Sequence, residues 1–298
     1  MSAGTGRRRP APSGPAPPPA VAKVALRYGR VGRLRFGSHR VEQRAFERAV
    51  RRAGVPIAFS AGFTPHPRLS YLGAAPTGAA SLAEYLVMRL AEERQPAWVA
   101  QALNQALPAE LPVLDAARWD DPALGDLSGR LTHSLWRFEF PDLAPGAGPV
   151  ARAARAFAAL ETYVARQLRP GAEAAAGPPR GAKPPRLVDL RAAVEALAPG
   201  GEPPLAGLSA GSDTPAGGIF GPAGAGCAIL DVVLRHATPA ARPKDIFAAL
   251  ASMGLDAASR YRATRLAQGQ YSVEAGVLAD PFPPRPVGAP SAAPGPRA

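Results

Sequence analysis

Between residues 23 and 119 the apolar positions switch repeatedly between a two-residue period and a period of three to four. Residues 24–28 and 33–36 read as strand segments joined by a turn at 29–32. Ser38 suits the N-cap of a helix over 39–53, which Gly54 stops. A short strand follows at 57–60. Residues 83–90 alternate as another, with Tyr85 and Val87 set against Leu86, Met88 and Leu90. Pro96 fits the first turn of a helix to 107, whose Val99, Ala102, Leu103 and Leu107 share a face. Residues 111–119 return as a strand. The order is β-α-β-β-α-β, the split arrangement of a ferredoxin-like fold.

The second half reads the same way with weaker signals. Residues 131–140 form a strand anchored by Leu135, Phe138 and Phe140, and 150–168 a helix. Residues 187–190 and 227–234 are strand candidates, with 191–198 a helical candidate. A helix over 243–253 stops at Gly254, and 257–266 is the last strand. The expected fold is α+β, two ferredoxin-like βαββαβ halves at 23–125 and 126–280. Pro-, Gly- and Ala-rich stretches at 1–22 and 281–298 are expected to be disordered tails. Those near 170–185 and 210–225 are expected to be flexible insertions, because they hold too little apolar surface to offset ordering entropy.

Composition narrows the setting. The single Cys227 excludes a disulfide framework and a cysteine-ligated metal or iron–sulfur site within one chain, so a reducing, cytoplasmic setting is expected. No apolar run approaches the roughly 20 residues of a membrane span, so no membrane partner is expected. Charge matters more. The net charge is +12, and the first 52 residues hold thirteen Arg and Lys against Glu42 and Glu47. Basicity confined to one end suggests a binding surface. At about 100° per residue, Arg40, Arg44, Arg48, Arg51 and Arg52 fall in one sector of the 39–53 helix, opposite Ala45, Phe46, Ala49, Val50 and Ala53. A solvated face with Glu47 pairing Arg51 is the plainer reading. Arg27, Arg30, Arg33 and Arg35 nearby favour a phosphate-bearing partner, because guanidinium forks match phosphate geometry.

Candidate chemistry gathers in one run, SAGFTPHPRLSY, which holds Ser60, Gly62, Phe63, Pro65, His66, Pro67 and Arg68. Prolines on both sides of His66 stiffen the backbone where an imidazole and a cation are displayed. A hydrogen-bonded loop anchor is the alternative. Ser38, His39, His66 and Glu84 are the candidates for catalysis, if a nucleophile and base come within reach. The four histidines show no close ligand pair, so no metal site is expected, and no cofactor. The Gly-rich run at 217–226 lacks the ending of a phosphate loop and reads as a loop.

The runs RLRFGSHRVEQRAFERAVRRAGVPIAFSAGFTPHPRLSY, APTGAASLAEYLVMRL and LNQALPAELPVL resemble the radical-SAM-linked protein family (DUF2344), a domain family of unknown function. The resemblance is strong from about 23 to 119 and weaker to about 265. It departs where the family shows Leu-Ser-His-Leu-Asp and this chain has Gly37-Ser38-His39-Arg40-Val41, and where Ala61 replaces a common Glu. Members stand alone or are fused to radical SAM proteins, and one cysteine cannot hold a radical SAM cluster. The resemblance therefore implies an accessory role. The expected function is a non-catalytic accessory protein that binds RNA, transfer or ribosomal, or presents a substrate. Its partner would be an RNA-processing or radical SAM RNA-modifying enzyme. The alternatives are an enzyme with its own site at Ser38, His39, His66 and Glu84, and a protein–protein adaptor using the arginine stripe.

Overall fold

A computed structural model of the chain describes residues 18–61, 63–146, 148–167, 185–200 and 226–284. The stretches expected as an N-terminal tail and as insertions fall wholly or mainly outside these residues, and so does Gly62.

The first half runs β1 (Ala22–Arg30), α1 (His39–Arg52), β2 (Leu69–Leu72), β3 (Ala80–Leu90), α2 (Pro96–Ala106) and β4 (Val113–Arg118). β1 lies antiparallel between β3 and β4, and β2 adds antiparallel to β3. The alternation of β1 and β3 explains the layer above them. Val24, Leu26 and Tyr28 share a face with Leu86, Met88 and Leu90, and meet Phe46 and Val50 of α1 and Val99 and Leu103 of α2. Ala25, Ala83 and Tyr85 face the other way, under Trp119, Leu127, Leu131 and Phe282.

The second half begins with β5 (His133–Phe140) and α3 (Gly148–Ala158). A separate ribbon of β6 (Val164–Gln167) and β7 (Arg186–Asp189) follows, then a single turn α4 (Leu190–Ala193). β8 (Val194–Pro199), β9 (Ala228–Arg235), α5 (Pro243–Ser252), β10 (Arg262–Ser272) and β11 (Val277–Ala279) complete it. Here β5 lies antiparallel between β10 and β9, and β8 pairs with β9. β3 and β10 run parallel through Ala80–Thr264 and Ser81–Arg265, which fuses the halves into one mixed nine-stranded sheet, β4-β1-β3-β10-β5-β9-β8 with β2 and β11 attached. Following these senses across the junction, β1 and β5 point the same way. The second half repeats the first by a shift along the sheet, with both helix pairs on one face.

The α+β class agrees with the sequence reading, but several boundaries do not. Residues 33–36 form a 3-10 turn over Gly32–Phe36, not a strand, because Gly32 takes φ +54° and turns the chain out of the sheet. Residues 57–60 make only isolated bridges, Ile57 to Leu90 and Phe59 to Pro67. The strand beside β3 starts after Pro67, since prolines at 65 and 67 have no amide to give a ladder. The helix expected to reach 168 ends at Ala158, and Val164–Gln167 pairs with Arg186–Asp189 instead. Of the 191–198 helix only α4 forms, since the following residues pair with β9. The last strand runs later than expected. It passes through Gly269, where a side chain's Cβ would overlap the Ala279 carbonyl of β11. The segment expected as a tail from 281 is anchored at its start, with the Phe282 ring 5.7 Å from Tyr85 and 5.8 Å from Trp119.

No described helix is long and apolar enough to cross a membrane. Two histidines give the fold a pH dependence. Burial holds His133 below the ordinary histidine range, although Glu195 stands 3.8 Å from its Nε2. Burial lowers His236 too, although its Nδ1 lies 2.7 Å from the Leu131 carbonyl oxygen. The unfolded chain therefore takes up these protons first. Stability from both rings is fully present above the unfolded histidine pKa of about 6.5 and is lost as pH falls below it. The urea midpoint is expected to drop between about pH 7.5 and pH 5.5, and a His133→Gln/His236→Gln variant to show a flatter profile. An equal slope in the variant would refute the assignment.

Candidate nucleic-acid interface

α1 forms because its apolar positions recur on one stripe, and that stripe is buried: Ala45, Phe46, Ala49 and Val50. The stripe begins one turn earlier, at Glu42, which is wholly buried. On the outer side Arg40, Arg44, Arg48, Arg51 and Arg52 are all exposed, and none forms an ion pair among the described residues. The pairing of Glu47 with Arg51 expected for a simple solvated face is not among the ion pairs of α1. Of the helix's two acids, one has gone to the core, and five guanidiniums face water with only Glu47 near them.

What holds Glu42 in the core is a polar network between the sheet and the helices. Arg30 follows Tyr28 on the helix-facing side of β1. It donates from Nη1 to Glu42 Oε1 at 2.8 Å. Its Nη2 donates to the carbonyl oxygens of Pro76 at 2.8 Å, Ala75 at 2.9 Å and Ala79 at 3.1 Å. Tyr28 donates its hydroxyl to Glu42 Oε2 at 3.3 Å, and burial together with Glu84 and Glu42 pushes that phenol well above its usual range. His39 places Nδ1 3.7 Å from Glu42 Oε2 and its ring 5.0 Å edge-on from Tyr71 of β2. Glu84, paired in register with Tyr28, accepts from the Ala75 amide at 3.2 Å and from Arg265 Nη2 of β10. Arg265 also donates from Nε to Ser81 Oγ at 3.2 Å and lies over the Trp136 ring at 5.6 Å. These bonds fix the 73–79 loop, whose Ala75 and Ala79 belong to the second half's core.

The proline-flanked run makes a narrow loop. Ser60 donates its amide to the His66 carbonyl at 2.9 Å, His66 donates its amide to Ser60 Oγ at 3.0 Å, and Arg68 donates its amide to Ala58 O at 2.8 Å. Those bonds present Phe63, which is 71% exposed, together with Pro65, His66 and Arg68. Pro67 is half-buried in its bridge to Phe59.

The structure thus divides the candidates. It brings His39 to Glu42 and Tyr71, and Glu84 to Arg265. No hydrogen bond, ion pair or ring contact among the described residues joins His66 or Arg68 to His39 or Glu84. Ser38 stands at the α1 N-cap, exposed, and its hydroxyl makes no cap bond. Arg35 sits apart from the α1 stripe, in the 3-10 turn, with its guanidinium carbon 4.7 Å from the centre of the Phe36 ring. No group of three His, Cys, Asp or Glu among the described residues could hold a metal. Sequence reasoning counted Arg30 with the cations of a phosphate-binding surface, whereas it is 1% exposed and spent on Glu42, and it gave no role to Glu42, Tyr71 and Arg265. Two of these carried a signal: Arg30 extends the Val24–Leu26–Tyr28 alternation, and Glu42 precedes Phe46 and Ala49 at i+4 and i+7 in the apolar stripe.

No curated protein matches the chain. A family profile described as an uncharacterized protein conserved in bacteria matches residues 23–243. Its span opens on β1, takes in α1, the proline-flanked loop and the Arg30–Glu42 and Glu84 positions, and closes on the first residue of α5. On that match over most of its length, the chain belongs to the DUF2344 family.

Proposed function

We propose that the protein is a non-catalytic accessory factor that binds RNA through the outer face of α1 and presents it to an RNA-processing or radical SAM RNA-modifying enzyme in the cytoplasm. One observation carries this reading. Five exposed arginines line one helix face, while Glu42, the acid that would have screened them, is turned into the core. A face that only kept the protein soluble would gain nothing from that segregation. Exposed Phe59 and Phe63 at the proline-flanked loop offer ring faces on which bases stack. The strand order β4-β1-β3-β2, repeated as β10-β5-β9-β8 with helices on one face, supports reading each half as a ferredoxin-like unit.

The catalytic alternative has less support. Glu84 and Glu42 are spent in buried ion pairs with Arg265 and Arg30, so neither is placed to take a proton from a bound substrate.

Binding of a labelled single-stranded RNA should weaken steeply with salt. The log–log slope should be about −0.7 for each phosphate contacted, hence about −3 if four or five of the arginines engage. Filter binding between low and physiological salt measures it. A slope near zero would overturn the phosphate reading.

A further inference from the structure

We propose a second anion site, a nucleotide-phosphate pocket between the two halves, distinct from the α1 face. A cavity of about 700 Å³ opens there on the helix-bearing side. Four segments far apart in sequence line it: Arg35 and Phe36 of the 3-10 turn, the loop 76–79, residues 242–244 at the entrance to α5, and residues 261–263 leading into β10. Its charged lining is Arg35, Arg242, Lys244 and Arg262, and no Asp or Glu is among its lining residues. Arg262 is partly answered from outside the cavity, since its Nε lies 3.4 Å from Glu139 Oε2. Arg35 is not: its Nε is shielded from solvent and donates to nothing among the described residues.

The walls are set before any ligand arrives. Arg30 clamps the carbonyls of Ala75, Pro76 and Ala79 from below, and Gly78 donates its amide to Arg35 O at 2.7 Å. Gly78 takes φ +94°, a conformation side chains disfavour, so the loop keeps its bend with the cavity side open. Across the cavity Tyr261 is stacked on Phe247 at 4.5 Å and cannot swing freely. Phe36 is 62% exposed.

Cations alone would suit any anion. The size and the two rings narrow the ligand. The cavity lies within the roughly 300–1,000 Å³ range of small-molecule sites and is far larger than a phosphate ion needs. Phe36 and Tyr261 supply flat apolar surface for a base, and the four cations supply charge for phosphate oxygens. The occupant is a nucleoside 5′-phosphate or diphosphate, either free or as the 5′-phosphorylated end of an RNA.

Calorimetric titration of the full chain tests this with ADP, adenosine, inorganic pyrophosphate, and the dinucleotide pApA with and without its 5′-phosphate. ADP should bind saturably, and adenosine at least tenfold more weakly. Arg242→Ala/Lys244→Ala should weaken ADP by about thirtyfold, since each lost phosphate contact is worth roughly five- to tenfold. Phe36→Ala should weaken ADP by about tenfold through lost stacking and leave pyrophosphate unchanged. Circular dichroism confirms that each variant is folded. Tighter binding of 5′-phosphorylated pApA than of ADP identifies an RNA end as the source, and the reverse a free nucleotide. Arg44→Glu/Arg48→Glu/Arg52→Glu should leave ADP binding intact, which separates this site from the α1 face. The proposal is overturned if neither ADP nor phosphorylated pApA binds at millimolar concentration, if the Arg242/Lys244 variant binds ADP as the parent does, or if the α1 variant loses ADP binding.

Discussion

Arg265→Met should destabilise the protein by about 3–5 kcal/mol, the range for breaking a buried ion pair by removing one partner. Arg265 is 4% exposed and Glu84 1%. Without the guanidinium, Glu84 keeps its place against the Ala75 amide but loses its counter-charge in a site closed to water. Ser81 Oγ and the Trp136 ring lose a partner as well. The position makes this loss more than local. β3 and β10 share only two register pairs, and Arg265 is in one of them, so the ion pair is a principal tie between the halves. Urea unfolding of the variant should show a lower midpoint and a broader transition, as the halves begin to unfold separately. Glu84→Leu with Arg265→Met should recover a large share of the loss, since the uncompensated charge is then gone. A loss below about 1 kcal/mol in the single variant, or no recovery in the double, would mean that the pair does not tie the sheet together.

The same pair shows where the sequence was legible and where it was not. α1 was readable because it lies between core and water. Its apolar stripe and its arginines separate by angle, and its ends agree with the expected 39–53 helix to within a residue. β10 was not. Thr264, Arg265, Gln268 and Gly269 break its alternation, and the strand was placed at 257–266. In the structure Arg265 and Gln268 are polar because they meet polar partners across the junction, and Gly269 makes room for the Ala279 carbonyl of β11. Arg265 meets Glu84 and Ser81, and Gln268 donates to the Ala83 carbonyl. A partner about 180 residues away leaves no trace in a local window. β8 failed for a related reason: its residues form helices readily, and only the exposed edge of β9 makes them a strand. Element order was enough to suggest two repeated halves. Their fusion through β3 and β10 depends on pairing that period and propensity do not encode. At the site, the exposed arginines and the proline-flanked loop were visible. The inward-facing part, buried Arg30 and Glu42 with half-buried Tyr71, was hidden because charged and phenolic residues count as surface in any hydropathy pattern.

Reversing the charge of α1 with Arg44→Glu, Arg48→Glu and Arg52→Glu is expected to reduce RNA affinity by at least about 100-fold. Each cation near an anionic surface contributes on the order of 1 kcal/mol, so three lost contacts alone amount to about 3 kcal/mol, or roughly two decades in Kd. The three carboxylates add repulsion that neutral replacements would not. The fold should tolerate the change, because all three side chains are exposed and the core contacts of Ala45, Phe46 and Ala49 are untouched. Surface substitutions of this kind usually stay within about 0.5 kcal/mol each. The variant's salt slope should also become shallower, by about 2 if all three arginines contact single-stranded phosphates. That second readout distinguishes loss of phosphate contacts from general unfolding, which would remove binding without leaving a defined slope. Arg44→Lys, Arg48→Lys and Arg52→Lys should keep most of the slope and lose only part of the affinity, since lysine retains the charge but not the bidentate fork. Parent-like affinity in the glutamate variant, with its fold verified by circular dichroism, would show that the arginine face of α1 does not bind RNA.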